Sequence, residues 1–229
     1  MAGAVVVNIN NNNNHQTEKP ITIIGCGPGG SDYLIPIALD YINKADILIG
    51  SRRLLSLYMN KSKKTIEITS DISSVLCEME KLLGDDASIT VLVTGDTGAA
   101  SMSAPIIRKF GKNSCRCIPG ISSIQLACAR LCLDWTSAEI INAHKGLPNV
   151  LDDTIKLKET VIILCGNRTT WQWIESVAKN LDKTHNGYRC ANLGQENETI
   201  SPFSHIDFKS FPDGGGNAVL IWHRKDAEN

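Results

Sequence analysis

The first strong apolar pattern is Ile21–Ile24, a short β-branched run that ends in Gly25-Cys26-Gly27-Pro28-Gly29-Gly30. A run of this kind before glycines predicts a strand and a tight turn. Ser31 or Asp32 then stands where a helix N-cap is wanted, and Leu34, Ile37, Ala38, Tyr41 and Ile42 follow at helical spacing. Ile47–Ile49 and Ile66–Ile68 read as further strands. Asp71 is placed to cap a helix whose apolar face is Ile72, Val75, Met79, Leu82 and Leu83. Ile89–Val93 is an apolar strand with the glycine turn Gly95-Asp96-Thr97-Gly98 behind it. A helix through Ile106, Ile107 and Phe110 follows, then a strand at Cys115–Ile118 and the turn Pro119-Gly120. Ile121–Cys132 reads as a helix with Ile124, Cys128, Leu131 and Cys132 inward. This alternation predicts a mostly parallel α/β sheet covered on both faces.

The pattern changes after Asp134–Ser137. Strand-like runs at Glu139–Asn142, Thr160–Cys165, Tyr188–Leu193, Glu198–Ser201 and Ala218–His223 surround one clear helix, Trp171–Leu181. We expect two α/β domains, 20–134 and 135–229, with a leader over 1–19. Asn8 to Asn14 is nearly all asparagine, too polar to bury, so the leader is expected to be disordered.

Composition narrows the function classes. With 42% hydrophobic and 21% charged residues among 229, the chain can build a real core. A formal charge of −1 lacks the basic footprint of a general nucleic-acid binder. No apolar run nears the ~20 residues that cross a bilayer, so no membrane partner is expected. Val5–Val7 is too brief for a signal peptide. The 8 cysteines therefore read mostly as small buried hydrophobes in a reducing, cytoplasmic compartment. Cys115-x-Cys117 finds no second pair at zinc-site spacing, and no metal is expected.

Three loops could carry chemistry. Gly25-x-Gly27-x-x-Gly30 has the spacing of the dinucleotide fingerprint. Pro28, however, removes one N–H that a pyrophosphate would use, and Asp32 adds negative charge at the helix entrance. The second strand ends in Gly50-Ser51-Arg52-Arg53 instead of an acid, so an NADP-dependent oxidoreductase reading rests on the glycine fingerprint and Arg52. In Gly95-Asp96-Thr97-Gly98 the carboxylate can serve a ligand hydroxyl or ammonium, or simply close an Asx turn. Ser122 and Ser123, after Pro119-Gly120-Ile121, can meet a ligand or cap a helix. Two such loops in one half point to a shared pocket. No Ser/His/Asp or Cys/His constellation stands out, so no catalytic residue is assigned.

Together these loops resemble the tetrapyrrole methylases, enzymes that use S-adenosylmethionine. The stretch Pro119-Gly-Ile-Ser-Ser-Ile-Gln-Leu-Ala-Cys-Ala-Arg-Leu-Cys-Leu-Asp-Trp135 is similar to their carbon-5 methylases of corrin precursors. So are Ile49-Gly50-Ser51-Arg52-Arg53-Leu54-Leu55 and Asn192-Leu193-Gly194, with Glu198 and Ile200 following. The resemblance, from about Ile21 to His223, implies two α/β domains with S-adenosylmethionine held in the cleft between them, in a homodimer. It implies methylation of carbon 5 of a precorrin or cobalt-precorrin in cobalamin biosynthesis. Carried over by position, Pro28, Gly95, Asp96, Thr97, Ala99, Ser122, Ser123, Cys165 and Ala218 would line the cofactor. Arg52, Arg53 and Lys145 are candidates for the carboxylates of the corrinoid substrate, and His144 for orienting its ring or moving a proton. Ala99-Ala100-Ser101 stands where the subfamily usually has Phe-Tyr-Ser, and His144-Lys145-Gly146 where it usually has His-Gly-Arg. A separate protein is expected to methylate carbon 15 and remove the acetate carboxyl. The alternatives are a sibling methylase, the NADP oxidoreductase and a binding module without activity.

Overall fold

The computed structural model describes residues 19–58, 63–83, 87–144, 146–148, 155–166, 168–211 and 218–225. Residues 1–18 of the expected leader and Lys145 lie outside these described residues.

The first sheet holds β1 (Ile21–Gly25), β2 (Ile47–Gly50), β3 (Lys64–Glu67), β4 (Ile89–Val93) and β5 (Cys115–Ile118) in the order β3-β2-β4-β1-β5. All its pairings are parallel. Residues of β1, β2 and β4 are buried throughout, as both-faced coverage requires. Strand alternation divides them. Ile21, Ile23, Ile47, Ile49, Val91 and Val93 pack against α3 (Ile72–Leu82) and α4 (Ser103–Phe110). Ile24, Leu48 and Leu92 pack against α1 (Pro36–Lys44) and α2 (Arg52–Tyr58).

The second sheet runs β6-β7-β10-β8-β9, made of β6 (Glu139–Asn142), β7 (Thr160–Leu164), β8 (His185–Ala191), β9 (Thr199–Pro202) and β10 (Val219–Arg224). Only β6 and β7 pair in parallel. Val161, Ile163, Leu220 and Trp222 face α6 (Trp171–Leu181) and Phe203 with Phe208. Ile162, Cys190, Val219 and Ile221 face α5 (Ser123–Leu131). Helix α5 thus follows the last strand of the first sheet but covers the second.

Several elements differ from the sequence reading. The first helix starts at Pro36, with neither Ser31 nor Asp32 as its cap; Ser31–Tyr33 is a separate 3₁₀ turn. Pro36 suits the first helical turn, where its missing N–H costs nothing. Helix α2 was not foreseen. Cys132 points outward, not inward: it takes the left-handed conformation (φ 54°) that ends α5 and is exposed. All eight cysteines are free thiols, and four of them, Cys26, Cys128, Cys165 and Cys190, are buried.

Candidate functional site

The site begins where β1, β4 and β5 end. Gly27 donates to Gly95 O at 3.2 Å and Gly95 donates back to Gly27 O at 2.7 Å, so two loops continue as an antiparallel bridge beyond a parallel sheet. Gly25 and Gly120 make this possible. A Cβ on Gly25 would stand 2.6 Å from Gly120 N and 2.7 Å from Gly95 O, inside van der Waals contact, so any side chain would force these strand ends apart. Asp96 then fastens the loops after β4 and β5: Oδ1 accepts from Gly98 N at 2.7 Å and Oδ2 from Gly120 N at 3.0 Å. Ser122 caps α5 by accepting from Gln125 N at 3.1 Å, while the Gln125 side chain accepts from Ser122 N at 2.8 Å.

The second sheet supplies the opposite wall. Cys165 N donates to Ala218 O at 3.0 Å, holding the exit of β7 beside the entrance of β10. His144, just past β6, places Nδ1 3.3 Å from Cys165 O, and its ring covers Gly166 so closely that a Cβ there would collide with the imidazole. Between the walls lies a cavity of about 630 Å³.

The cavity gathers Pro28, Gly95, Asp96, Ala99, Ser122 and Ser123 from the first set of loops. Cys165, Ala218 and His144 reach it from the second sheet, and Arg53 from the first turn of α2. Thr97 does not line it; its carbonyl accepts from Ser101 Oγ at 2.7 Å. Arg52 also stays outside, highly exposed, with Nε 3.4 Å from Glu67 Oε2. Arg53 is already engaged, donating to Gly29 O at 2.8 Å and Thr94 Oγ1 at 3.2 Å. Thr94, Asn192, Leu193 and Gln195 also line the cavity and were not singled out as site residues. The Asn192-Leu193-Gly194 resemblance is the signal that points to two of these four, Asn192 and Leu193. Burial pushes the Cys165 thiol up to about 12, so it stays protonated near neutral pH and is no nucleophile.

The glycine fingerprint does not form a phosphate cradle. The N–H groups of Gly27 and Gly30 are spent on Gly95 O and Gly194 O, the second at 2.8 Å, and Pro28 has none. The oxidoreductase alternative thereby loses the loop on which it rested.

Residues 20–204 match the family of Tetrapyrrole (Corrin/Porphyrin) Methylases. A Methanocaldococcus jannaschii protein named "Probable cobalt-precorrin-7 C(5)-methyltransferase" is 34% identical over 193 residues, covering 79% of this chain and 87% of the relative. The cobalt-precorrin-7 C(5)-methyltransferase of Salmonella typhimurium is 28% identical over 209 residues, 88% of this chain and 98% of its own length. In three dimensions, the precorrin-6Y methylase of Archaeoglobus fulgidus superimposes with a TM-score of 0.67 at 21% identity, over 90% of this chain and 99% of that one. With the family matched over residues 20–204 and a 34% identical relative covered over 87% of its length, the chain belongs to the tetrapyrrole methylase family.

Proposed function

We propose that this protein methylates carbon 5 of a precorrin or cobalt-precorrin during assembly of the corrin ring of cobalamin, with S-adenosylmethionine as methyl donor. The observation that carries the reading is the 630 Å³ cavity between the two sheets, in a chain that aligns with almost the full length of a cobalt-precorrin-7 C(5)-methyltransferase. Its volume falls within the roughly 300–1,000 Å³ usual for small-molecule sites. The residues present fit such a donor. Leu164, Cys165, Leu193 and Val219 offer an apolar wall suited to a purine, while Ser122, Ser123, Asn192 and Gln195 offer neutral hydrogen-bonding groups. The N-terminus of α5 opens on the cavity beside Ser122 and favours a carboxylate. Asp96 is an acidic residue of the cavity lining, compatible with a cationic ligand.

When bound, S-adenosylmethionine supplies a methyl group already made electrophilic by its sulfonium. The chain then has to align two reactants and keep water out. Asp96 and the glycine bridge hold the floor rigid, and Ser122 orients the start of α5. Arg53 keeps guanidinium N–H groups beyond its bonds to Gly29 and Thr94 for the carboxylates of the macrocycle, and His144 lines the same cavity; Lys145 and Arg52 stay as further candidates for the same substrate. We assign Pro28, Gly95, Ala99 and Ala218 to the cofactor lining, and Thr97 to support of its loop.

The domain division at about residue 134, cytoplasmic residence, a homodimer and a separate carbon-15 methylase partner belong to the same proposal. The experiment is transfer of label from methyl-labelled S-adenosylmethionine to a corrin precursor, with the position read by NMR. Label at carbon 5 is expected. Binding of S-adenosylhomocysteine without label transfer to any precorrin would overturn the substrate assignment, and label on another carbon would make the protein a sibling methylase.

A further inference from the structure

Gly29 and Gly194 touch backbone to backbone across the two halves, leaving no room for a side chain at Gly29. Gly30 N donates to Gly194 O at 2.8 Å. This contact divides the 630 Å³ cavity, lined by Pro28 and Leu193, from an open groove of about 800 Å³ on its other side. A closed circuit of side chains surrounds it on the groove side. Gly194 N donates to Glu198 Oε2 at 2.6 Å, and Glu198 Oε1 accepts from Arg130 Nε at 2.7 Å. Arg130 Nη2 donates to Tyr33 OH at 2.7 Å, and the Tyr33 ring packs on Gly194, three residues along the chain from Gly30. The circuit thus ties the loop after β1, the last turn of α5 and the loop after β8. The Arg130 guanidinium holds the Glu198 carboxyl below the usual carboxylate range, so the pair is charged near neutral pH. Neither Arg130 nor Glu198 lines the cavity.

We propose that Arg130 and Glu198 are positioning residues, a latch that sets the spacing of the Pro28 and Leu193 walls and so the fit of the S-adenosyl ligand between the two sheets. The inference rests on the methylase reading. A planar guanidinium suits the task, since one group meets a carboxylate and a phenol at fixed angles. Loss of either partner opens the circuit and leaves Gly194 held to the loop after β1 by the Gly30 backbone bond and the Tyr33 ring. The wall can then move without either hydrophobic core opening.

The test measures S-adenosylhomocysteine affinity by calorimetry for wild type, Arg130→Met, Glu198→Gln and the double variant, beside melting temperature and steady-state kinetics. Each single variant should bind about 5- to 10-fold more weakly, and the double variant no worse than either single, because all break one link. Arg130→Lys should recover part of the affinity. A raised KM for S-adenosylmethionine with an unchanged KM for the corrinoid is expected, whereas a smaller folded fraction would lower kcat and leave both KM values as they are. Affinity within twofold of wild type in Glu198→Gln, which is nearly isosteric and only partly buried, would overturn the latch even if Arg130→Met failed to fold. Additive losses would overturn it as well. A wild-type protein that did not bind S-adenosylhomocysteine would instead sink the methylase reading.

Discussion

Asp96 and Gly120 are joined by a 3.0 Å hydrogen bond from the Gly120 amide to Asp96 Oδ2, and the other carboxylate oxygen is taken by Gly98 N. A carboxylate at this place in the sequence invites a ligand role, yet both of its oxygens already hold backbone. Asp96→Ala should therefore lower both stability and S-adenosylhomocysteine affinity, each by about 1–3 kcal/mol, the range for leaving such donors unpaired. Asp96→Asn keeps one good acceptor and should lose about half as much. Chemical denaturation and calorimetry on the same samples check this. A stability loss with unchanged affinity would make Asp96 a loop fastener only.

Lys63 reaches the C-terminal end of α1, where Nζ donates to the carbonyls of Ile42, Asn43 and Ala45 at 2.8, 2.7 and 2.7 Å. Those carbonyls have no partner within the helix, and a cation there also complements the helix dipole. Lys63→Met should destabilise the protein by about 1–3 kcal/mol in urea unfolding with little change in the m-value. A midpoint equal to wild type would show that water replaces the ammonium without loss.

Gly166→Ala should behave like His144→Ala, because the added Cβ would take the space of the imidazole. Both variants should keep S-adenosylhomocysteine affinity within a few-fold and lower methyl transfer. If Gly166→Ala turns over as wild type does, the placement of His144 in the cavity wall is irrelevant to the reaction.

The folded carboxyl of Glu198 is held below its ordinary range by Arg130, so its contribution to stability is present above that range and is lost as pH falls through it. Melting temperature should accordingly show no pH dependence from this pair between about pH 6 and 8, where its share is fully present, and that share should fade below about pH 5, with this part of the slope missing in Glu198→Gln. Parallel acid slopes for the two proteins would show that the pair is uncoupled from folding.

Thiol accessibility gives a chemical check on the core. Burial pushes Cys26, Cys165 and Cys190 up to about 12, whereas Cys77 and Cys132 are exposed. Alkylation of the native protein at pH 8 should mark Cys77 and Cys132 first and leave Cys26, Cys128, Cys165 and Cys190 until denaturant is added. Early labelling of Cys165, read by peptide mass spectrometry, would mean that the cavity wall opens.

Much of this architecture is written locally along the chain. Strands β1, β2 and β4 announce themselves because a parallel strand buried on both faces has to be apolar at every position. Asp71 announces α3 because a cap is a local bond, here from Ser74 N to Asp71 Oδ1 at 3.1 Å. The glycine loops were legible as loops for the same reason. Their roles were not, since a carboxylate at a strand end has the same local signature whether it holds a ligand or a neighbouring amide. Periodicity marked the apolar face of α5 but not the sheet that face would cover, because a helix carries no label for a partner some forty residues further on. The first helix begins late, at Pro36, after a 3₁₀ turn whose preceding residue, Gly30, is bonded to Gly194, a contact between residues more than a hundred positions apart. Arg52 and Arg53 make the point most sharply. The sequence supplies two adjacent cations and no means of choosing between them. Only the folding of 52–58 into a helix, in which successive side chains diverge by about 100°, sends Arg53 to the cavity and Arg52 to Glu67.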